Sequence, residues 1–440
     1  MNKKKTVYIL GAGASKTIGL PLQGEMLKKI FELRPRKVAT DSSFIDIALN
    51  IDEQQLLRLY EEFNKQRLVL ADFIVENFGN ATMKSEYKLI ASVNEDEEDH
   101  SNRYNIACKL NVSLEDLFTF FDKIIIGREH FRTYSSDNIQ DIHTALRKCI
   151  IFTLAYYCII MEEKENSLDA FAQILLRNKI DGISGDEEIS VITMNWDAYL
   201  DKKLFRICNE YNESKTRQKI LPDLCFYDYS YNQNQKRIVS TQIKAKGCRN
   251  IKLLKLHGSI NWLICPYCGR VFVDYTYDIA VDEMKNDCFC PLCWNEFGEK
   301  APIMNSMLIT PTFLKDLNNL NIKNIWHNAL IELTEASKVV FIGYSFPDAD
   351  FEMRCLLKKA IKPETQIEVV LHESDDPEYY KNILGLVPNS NTLLEKLNLP
   401  EYRYNSFFCK DMIKFYYNGM GNYLSTMSRE EDASGKESVN

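Results

Sequence analysis

Five of the thirteen cysteines lie between Cys265 and Cys293. Four of them form two Cys-x-x-Cys turns, Cys265-Pro266-Tyr267-Cys268 and Cys290-Pro291-Leu292-Cys293. Two such turns have the bite for tetrahedral thiolate coordination of Zn2+, and a site closed by four protein ligands is structural rather than catalytic. Cys288 leaves one alternative open, since it can stand in for Cys290 as a ligand. A Cys-rich hairpin also suits a nucleic-acid-binding ribbon, but the stretch from Val271 to Lys285 is more acidic than basic. The other eight cysteines stand mostly among apolar neighbours, as Cys149, Cys158, Cys208 and Cys355 do, and read as buried thiols.

Three further motifs carry polar groups with chemical use. His257, one of six histidines, lies in Lys255-Leu256-His257-Gly258-Ser259, eight residues before Cys265. An imidazole titrates near neutrality and suits proton transfer; a lone histidine is more often structural than catalytic, and the adjacent glycine and following cysteine pair are what distinguish this one. Thr193-Met194-Asn195-Trp196-Asp197 offers an amide and a carboxylate, which serve either a ligand or the cap of a helix beginning near Ala198. Gly343-Tyr344-Ser345-Phe346-Pro347-Asp348 offers backbone donors and a hydroxyl, or else an ordinary strand-to-helix turn.

The loop Gly11-Ala12-Gly13-Ala14-Ser15, continuing to Gly19-Leu20-Pro21, is glycine-rich in the way that lets a backbone approach a pyrophosphate. It departs from the dehydrogenase fingerprint, because Lys16 stands where the third glycine belongs. By itself it also reads as a plain turn.

Each of these four polar or glycine motifs follows a short candidate strand. Thr6–Leu10, Glu188–Thr193, Ile251–Leu256, Lys338–Ile342 and Thr365–Leu371 are predicted strands. Apolar spacing predicts helix from Leu22 through Ile30, over Ile51–Leu70 and over Leu168–Leu176, and a crossover helix over Asp348–Ile361. Ser113, with Asp116 three residues on, reads as an N-cap, and the acidic stretch Asn94–Asn105 as a surface loop. Strands alternating with helices predict a mainly parallel sheet whose carboxyl ends carry the ligand. No internal repeat is evident.

The length of 440 residues suits two domains or one elaborated core, and 45% apolar residues with 11% aromatics suffice for a large one. A net charge of −8 with interleaved signs argues against a general nucleic-acid binder. No run of 18 apolar residues occurs, so no membrane span is predicted. The apolar stretch Val7–Leu10 is too short for a signal-peptide core, which needs roughly 7–15 residues. The expected location is the cytoplasm.

In order and spacing, Gly-Ala-Gly-x-Ser, Thr-x-Asn-x-Asp, His-Gly, the paired Cys-x-x-Cys turns and Gly-x-Ser resemble the sirtuin family over about residues 6 to 375. The resemblance implies a Rossmann-like α/β core split by a helical insertion, with a small zinc-binding module. Residues 1–40 would open the core and 41–180 would form the insertion. Residues 181–375 would complete the core, with the zinc module at about 263–296. A C-terminal helical segment would span 376–427, and 428–440 a disordered tail. It implies NAD contacts from Gly11, Ala12, Gly13, Ala14, Ser15, Gly19 and Thr193, with Gly343 and Ser345 on the adenosine side. Asn195 and Asp197 would serve the nicotinamide ribose, His257 would be the catalytic histidine, and Cys265, Cys268, Cys290 and Cys293 would hold Zn2+.

The chain departs from protein-deacylating sirtuins where Leu22-Gln23-Gly24 replaces their Asp-Phe-Arg after the glycine–proline pair. With its insertion, Asn-Trp-Asp and Gly-Tyr-Ser-Phe-Pro-Asp, it looks more like the sirtuin-like domains of bacterial antiphage defence. Those hydrolyse NAD+ and act with a partner such as a HerA-type ATPase or a short Argonaute. The resemblance thus implies NAD+ hydrolysis to ADP-ribose and nicotinamide, controlled by homo-oligomerisation or a partner, with no membrane or direct nucleic-acid contact. Deacylation, ADP-ribosyl transfer and NAD sensing without turnover are the competing readings.

Overall fold

A computed structural model describes residues 4–33, 53–93, 100–161, 165–181, 187–214, 219–224, 238–239, 249–273, 288–347, 350–371, 400–408 and 413–426. Strand β1 (Lys4–Leu10) leads into a one-turn helix α1 (Ala12–Lys16), a 3-10 turn at Gln23–Glu25 and helix α2 (Met26–Glu32). Helices α3 (Glu53–Phe78), α4 (Ala81–Val93), α5 (Ser101–Cys108), α6 (Leu114–Gly127), α7 (Ser136–Met161) and α8 (Ser167–Asp181) then intervene before β2 (Glu187–Thr193). There follow α9 (Tyr199–Ser214), β3 (Ile220–Asp223), β4 (Ile238–Val239), β5 (Arg249–Lys255), β6 (Gly258–Ile264), β7 (Val271–Val273), α10 (Pro291–Phe297) and β8 (Asn305–Leu308). The chain closes with α11 (Leu320–Glu335), β9 (Lys338–Ile342), α12 (Phe351–Ala360), β10 (Gln366–Val370), α13 (Pro400–Phe407) and β11 (Ile413–Tyr416).

Seven strands form one sheet in the order β11-β10-β9-β1-β2-β5-β3, and every pair in it is parallel. Such strands are covered on both faces, which is why Val7, Ile9, Val339, Val340 and Phe341 are buried without alternation. This is the Rossmann-like α/β architecture expected. One half runs outward from β1 through β2 and β5 to β3; the chain then returns to the other side of β1 and runs through β9 and β10 to β11. The winding direction reverses between β1 and β9, and crevices at such switch points are where open α/β sheets bind ligands.

Register makes this crevice level. Leu10 pairs with both Thr193 and Ile342, and Thr193 pairs with Lys255. The loops beginning at Gly11, Met194, Leu256 and Gly343 therefore leave the sheet along one line.

A second sheet, antiparallel, has the order β4-β7-β6-β8 and carries the cysteine turns. Its small core packs Leu263, Phe272 and Met304 around Cys265, Cys288, Cys290 and Cys293.

Helix α7 is long and apolar enough to cross a bilayer by length and composition, with mean hydropathy 1.5 in an 18-residue window, although no unbroken apolar run occurs. Two thirds of that window is buried, as in a helix threaded through a protein core. Two expectations need correction. The supposed loop over Asn94–Asn105 becomes helix α5 from Ser101, with Tyr104, Ile106 and Ala107 buried; residues 94–99 lie outside the described residues. The segment 376–427 is not helical throughout, because Ile413–Tyr416 adds an edge strand to the main sheet. The tail 428–440, the hairpin interior 274–287 and His372 also lie outside the described residues.

Candidate active site

The crevice holds a cavity of about 550 Å³ whose wall includes Gly11, Ala12, Gly13, Ser15, Asn195, Asp197, His257, Gly343 and Ser345. All four motifs thus meet in one place, from four separate strand ends.

The loops of β1 and β9 touch backbone to backbone. Gly13 N–H donates to the Gly343 carbonyl at 2.8 Å, and Gly11 N–H to that of Ile342 at 3.0 Å. A Cβ on Gly13 would lie 2.7 Å from both the Cα and the carbonyl oxygen of Gly343, which itself has φ +60°. Glycine is required at both positions for this approach. The contact also alters the expected phosphate cradle: the amides of Gly11, Gly13 and Ala14 all donate within the protein.

Asn195 and Asp197 lock the β2 loop onto the glycine loop. Asn195 Nδ2 donates to the Gly11 carbonyl at 2.9 Å and to Ser15 Oγ at 3.0 Å. Ser15 Oγ donates to Asp197 Oδ2 at 2.7 Å, while Asp197 Oδ1 accepts from Tyr199 N–H at 3.3 Å. Asp197 therefore serves both as a helix-start cap and as a member of the site, so the two readings of this motif coexist. Beneath it, buried Lys255 donates to the Asp197 carbonyl and to Asp201 Oδ2, pinning the first turn of α9.

His257 occupies the two-residue turn from β5 to β6, where the chain leaves the parallel sheet for the antiparallel one. Gly258 has φ +74°, and a Cβ there would strike the Met307 carbonyl at 1.9 Å. The histidine position is thus dictated by the glycine next to it. Burial holds the imidazole below its ordinary value of 6.5; Asp350 and Glu352 pull upward and Lys315 downward. It is therefore neutral at physiological pH and able to accept a proton.

Three expected contacts do not reach the cavity wall. Thr193 is buried, its Oγ1 donating to the Leu10 carbonyl and accepting from Asn195 N–H, so it shapes the strand end. Ala14 is turned into the core, and Gly19 (φ +87°) packs against Met161. Conversely, the cavity takes Tyr344, Asp350, Trp196 and Pro311, and from the helical insertion Glu115 and Leu154. Asp350 stands two residues beyond the Gly-Tyr-Ser-Phe-Pro-Asp motif and was within reach of the sequence; Glu115 and Leu154 carry no local signal. Residues 348–349, with the motif's own Asp348, lie outside the described residues.

The four cysteines converge apart from this cavity. Cys265, Cys268, Cys290 and Cys293 place their sulfurs within 4.8 Å of one another, with Sγ–Sγ distances of 3.8 Å for Cys265–Cys293 and Cys268–Cys290. Zn–S bonds of about 2.3 Å in a tetrahedron set sulfurs about 3.8 Å apart, so the cluster fits Zn2+. Cys290 rather than Cys288 completes the set; Cys288 is buried in the surrounding core.

The cavity thus sits at the switch point of a parallel α/β sheet, where such sheets bind ligands. No protein-family model and no curated protein matches the chain. Solved structures similar to it include Sir2 proteins. A Sir2 with a p53 peptide and NAD+ is 12% identical, covering 97% of this chain and 93% of that one, with TM-score 0.36. A Sir2 bound to an acetylated peptide is 11% identical over 97% and 93% of the two chains, with TM-score 0.36. A structure concerned with the mechanism and regulation of Sir2 enzymes is 13% identical over 97% and 92%, with TM-score 0.35.

Proposed function

We propose that the chain hydrolyses NAD+ to ADP-ribose and nicotinamide. The observation that carries this reading is the meeting of the glycine loop, Asn195 and neutral His257 on the wall of one switch-point cavity. Its volume of about 550 Å³ is in the range of small-molecule and cofactor sites.

The bond between the ribose anomeric carbon and the pyridinium nitrogen breaks with its electron pair going to nitrogen, so nicotinamide leaves neutral and needs no acid. Positive charge builds on the sugar, as in other glycoside cleavages. Water adds to the anomeric carbon and gives its proton to His257, which passes it to solvent. Both amide hydrogens of Asn195 are engaged, so its Oδ1 is the group that accepts from the attacking water and aims it. Asp197 acts through Ser15, fixing the side chain to which Asn195 is anchored. Zn2+ at the four cysteines would brace the antiparallel module and take no part in the reaction.

The motifs resemble sirtuin-like NAD hydrolases of antiphage defence, and we extend the reading to NAD+ depletion held in check by self-assembly or by a partner such as a HerA-type ATPase. An unrestrained hydrolase would drain its own cell.

Nicotinamide release from NAD+ tests the assignment. Asn195→Ala and His257→Ala are each expected to lose about 100-fold or more in turnover; full activity in both overturns it. Turnover that requires an acylated peptide would instead indicate deacylation, and saturable binding without product a sensor.

A further inference from the structure

One carboxylate on the cavity wall has no role in that reaction so far. Asp350 occupies the N-cap position of α12, where an aspartate ordinarily accepts from an amide of the first helical turn. It makes no such bond. Its Oδ2 accepts from Tyr344 Oη at 3.1 Å, and its Oδ1 lies 3.5 Å from Lys315 Nζ. Lys315 is shared with Glu352, at 3.2 Å. Behind the cavity wall two carboxylates face one ammonium, and the Arg354 guanidinium opposes Asp350 at Tyr344; the carboxylate that lines the cavity itself is Asp350. Among charged groups, Asp350 is the one felt most by the His257 imidazole. Burial and the Asp350 charge push the Tyr344 phenol well above its ordinary value, so Tyr344 stays a donor and holds the carboxylate in place.

A negative group on the wall beside the proton acceptor suits a substrate that becomes positive as it reacts. We propose that Asp350 meets the sugar. Its carboxylate accepts from a ribose hydroxyl beside the anomeric carbon and sets negative charge against the positive charge that develops there. This rests on the NAD+ reading of the cavity, and it adds a catalytic residue from β9 to the two from β2 and β5. Fixed charge aimed at a developing opposite charge in a water-poor site is among the strongest means an enzyme has of lowering a barrier.

The test is nicotinamide release by the full chain carrying Asp350→Asn, which keeps an acceptor for Tyr344 and changes volume little. Turnover is expected to fall about 100-fold with KM changing by less than about threefold, while the thermal melt confirms folding. Should that variant not fold, Asp350→Glu keeps the charge but displaces it, and is expected to lose about tenfold. Either folded variant turning over within twofold of the unaltered chain overturns the proposal. If the unaltered chain releases no nicotinamide, the hydrolase reading fails separately, and calorimetric binding of ADP-ribose decides for Asp350. Binding weakened fivefold or more in Asp350→Asn supports the sugar contact; equal binding, or none to either protein, overturns it.

Discussion

Ser15 is a small polar group in the site on which two others depend. Its hydroxyl donates to Asp197 Oδ2 and accepts from Asn195 Nδ2, so one oxygen ties the loops of β1 and β2 together. Replacing it by alanine strands a buried carboxylate oxygen and an amide hydrogen at once. A buried group left without its partner costs roughly 1–3 kcal/mol. Ser15→Ala is therefore expected to lower stability in urea unfolding by that amount, and to reduce nicotinamide release because Asn195 keeps only the Gly11 carbonyl as anchor. An unchanged midpoint would mean that the three side chains are not linked. Ser15, Asn195 and Asp197 could each be picked out from sequence by motif, but their bonding could not. That Asp197 spends both oxygens on protein partners depends on the level register of β1 and β2, a property of the sheet rather than of either motif.

Elements place these residues, and the antiparallel module is the one whose stability a metal would govern. The turn from β6 to β7 carries Cys265 and Cys268, while Cys290 stands at the N-cap position of α10, a seven-residue helix with Cys293 in its first turn. Its core is small, so a metal joining the four sulfurs would contribute much of its stability. One zinc per chain is expected by atomic absorption, and a strong chelator should lower the melting temperature. Cys290→Ser should lose the metal and Cys288→Ser should keep it; the reverse would make Cys288 the ligand. The five predicted strands were legible because each is a short, largely apolar run bounded by polar or turn residues, four of them rich in β-branched side chains. Strand β6 was not, since Gly258–Ile264 follows β5 after two residues and reads as its continuation. Strand β11 lies in a stretch rich in tyrosine and lysine that shows no alternation, and only its place beside β10 makes it a strand.

At the scale of the whole molecule, one continuous core joins the parallel sheet to the helical insertion: Tyr8 of β1 packs on Phe171 of α8, and α7 runs through the middle. The insertion also supplies Glu115 and Leu154 to the cavity wall, so the stability of the insertion and the shape of the site are coupled. His143, on α7, makes that stability pH-dependent. It packs edge-on to Phe118 and Phe121 of α6, and neither ring nitrogen has a hydrogen-bond partner. Asp122 Oδ1 lies 3.7 Å away, beyond hydrogen-bond reach, and burial, reinforced by Arg147, holds the imidazole at about 3 instead of 6.5. Between those values the unfolded chain takes up a proton that the folded chain refuses, so stability is full above 6.5 and declines as pH falls. From pH 6.5 to 5 this amounts to about 1.5 kcal/mol. Asp122, whose carboxyl burial pushes up, acts with the opposite sign, so the comparison is made against a neutral replacement at the same site. In urea unfolding at the two pH values, His143→Gln is expected to lose less stability than the unaltered chain by that margin. Equal losses would show that the folded protein accommodates the charged imidazole, and the acid sensitivity would then have to come from His257 or from the paired carboxylates.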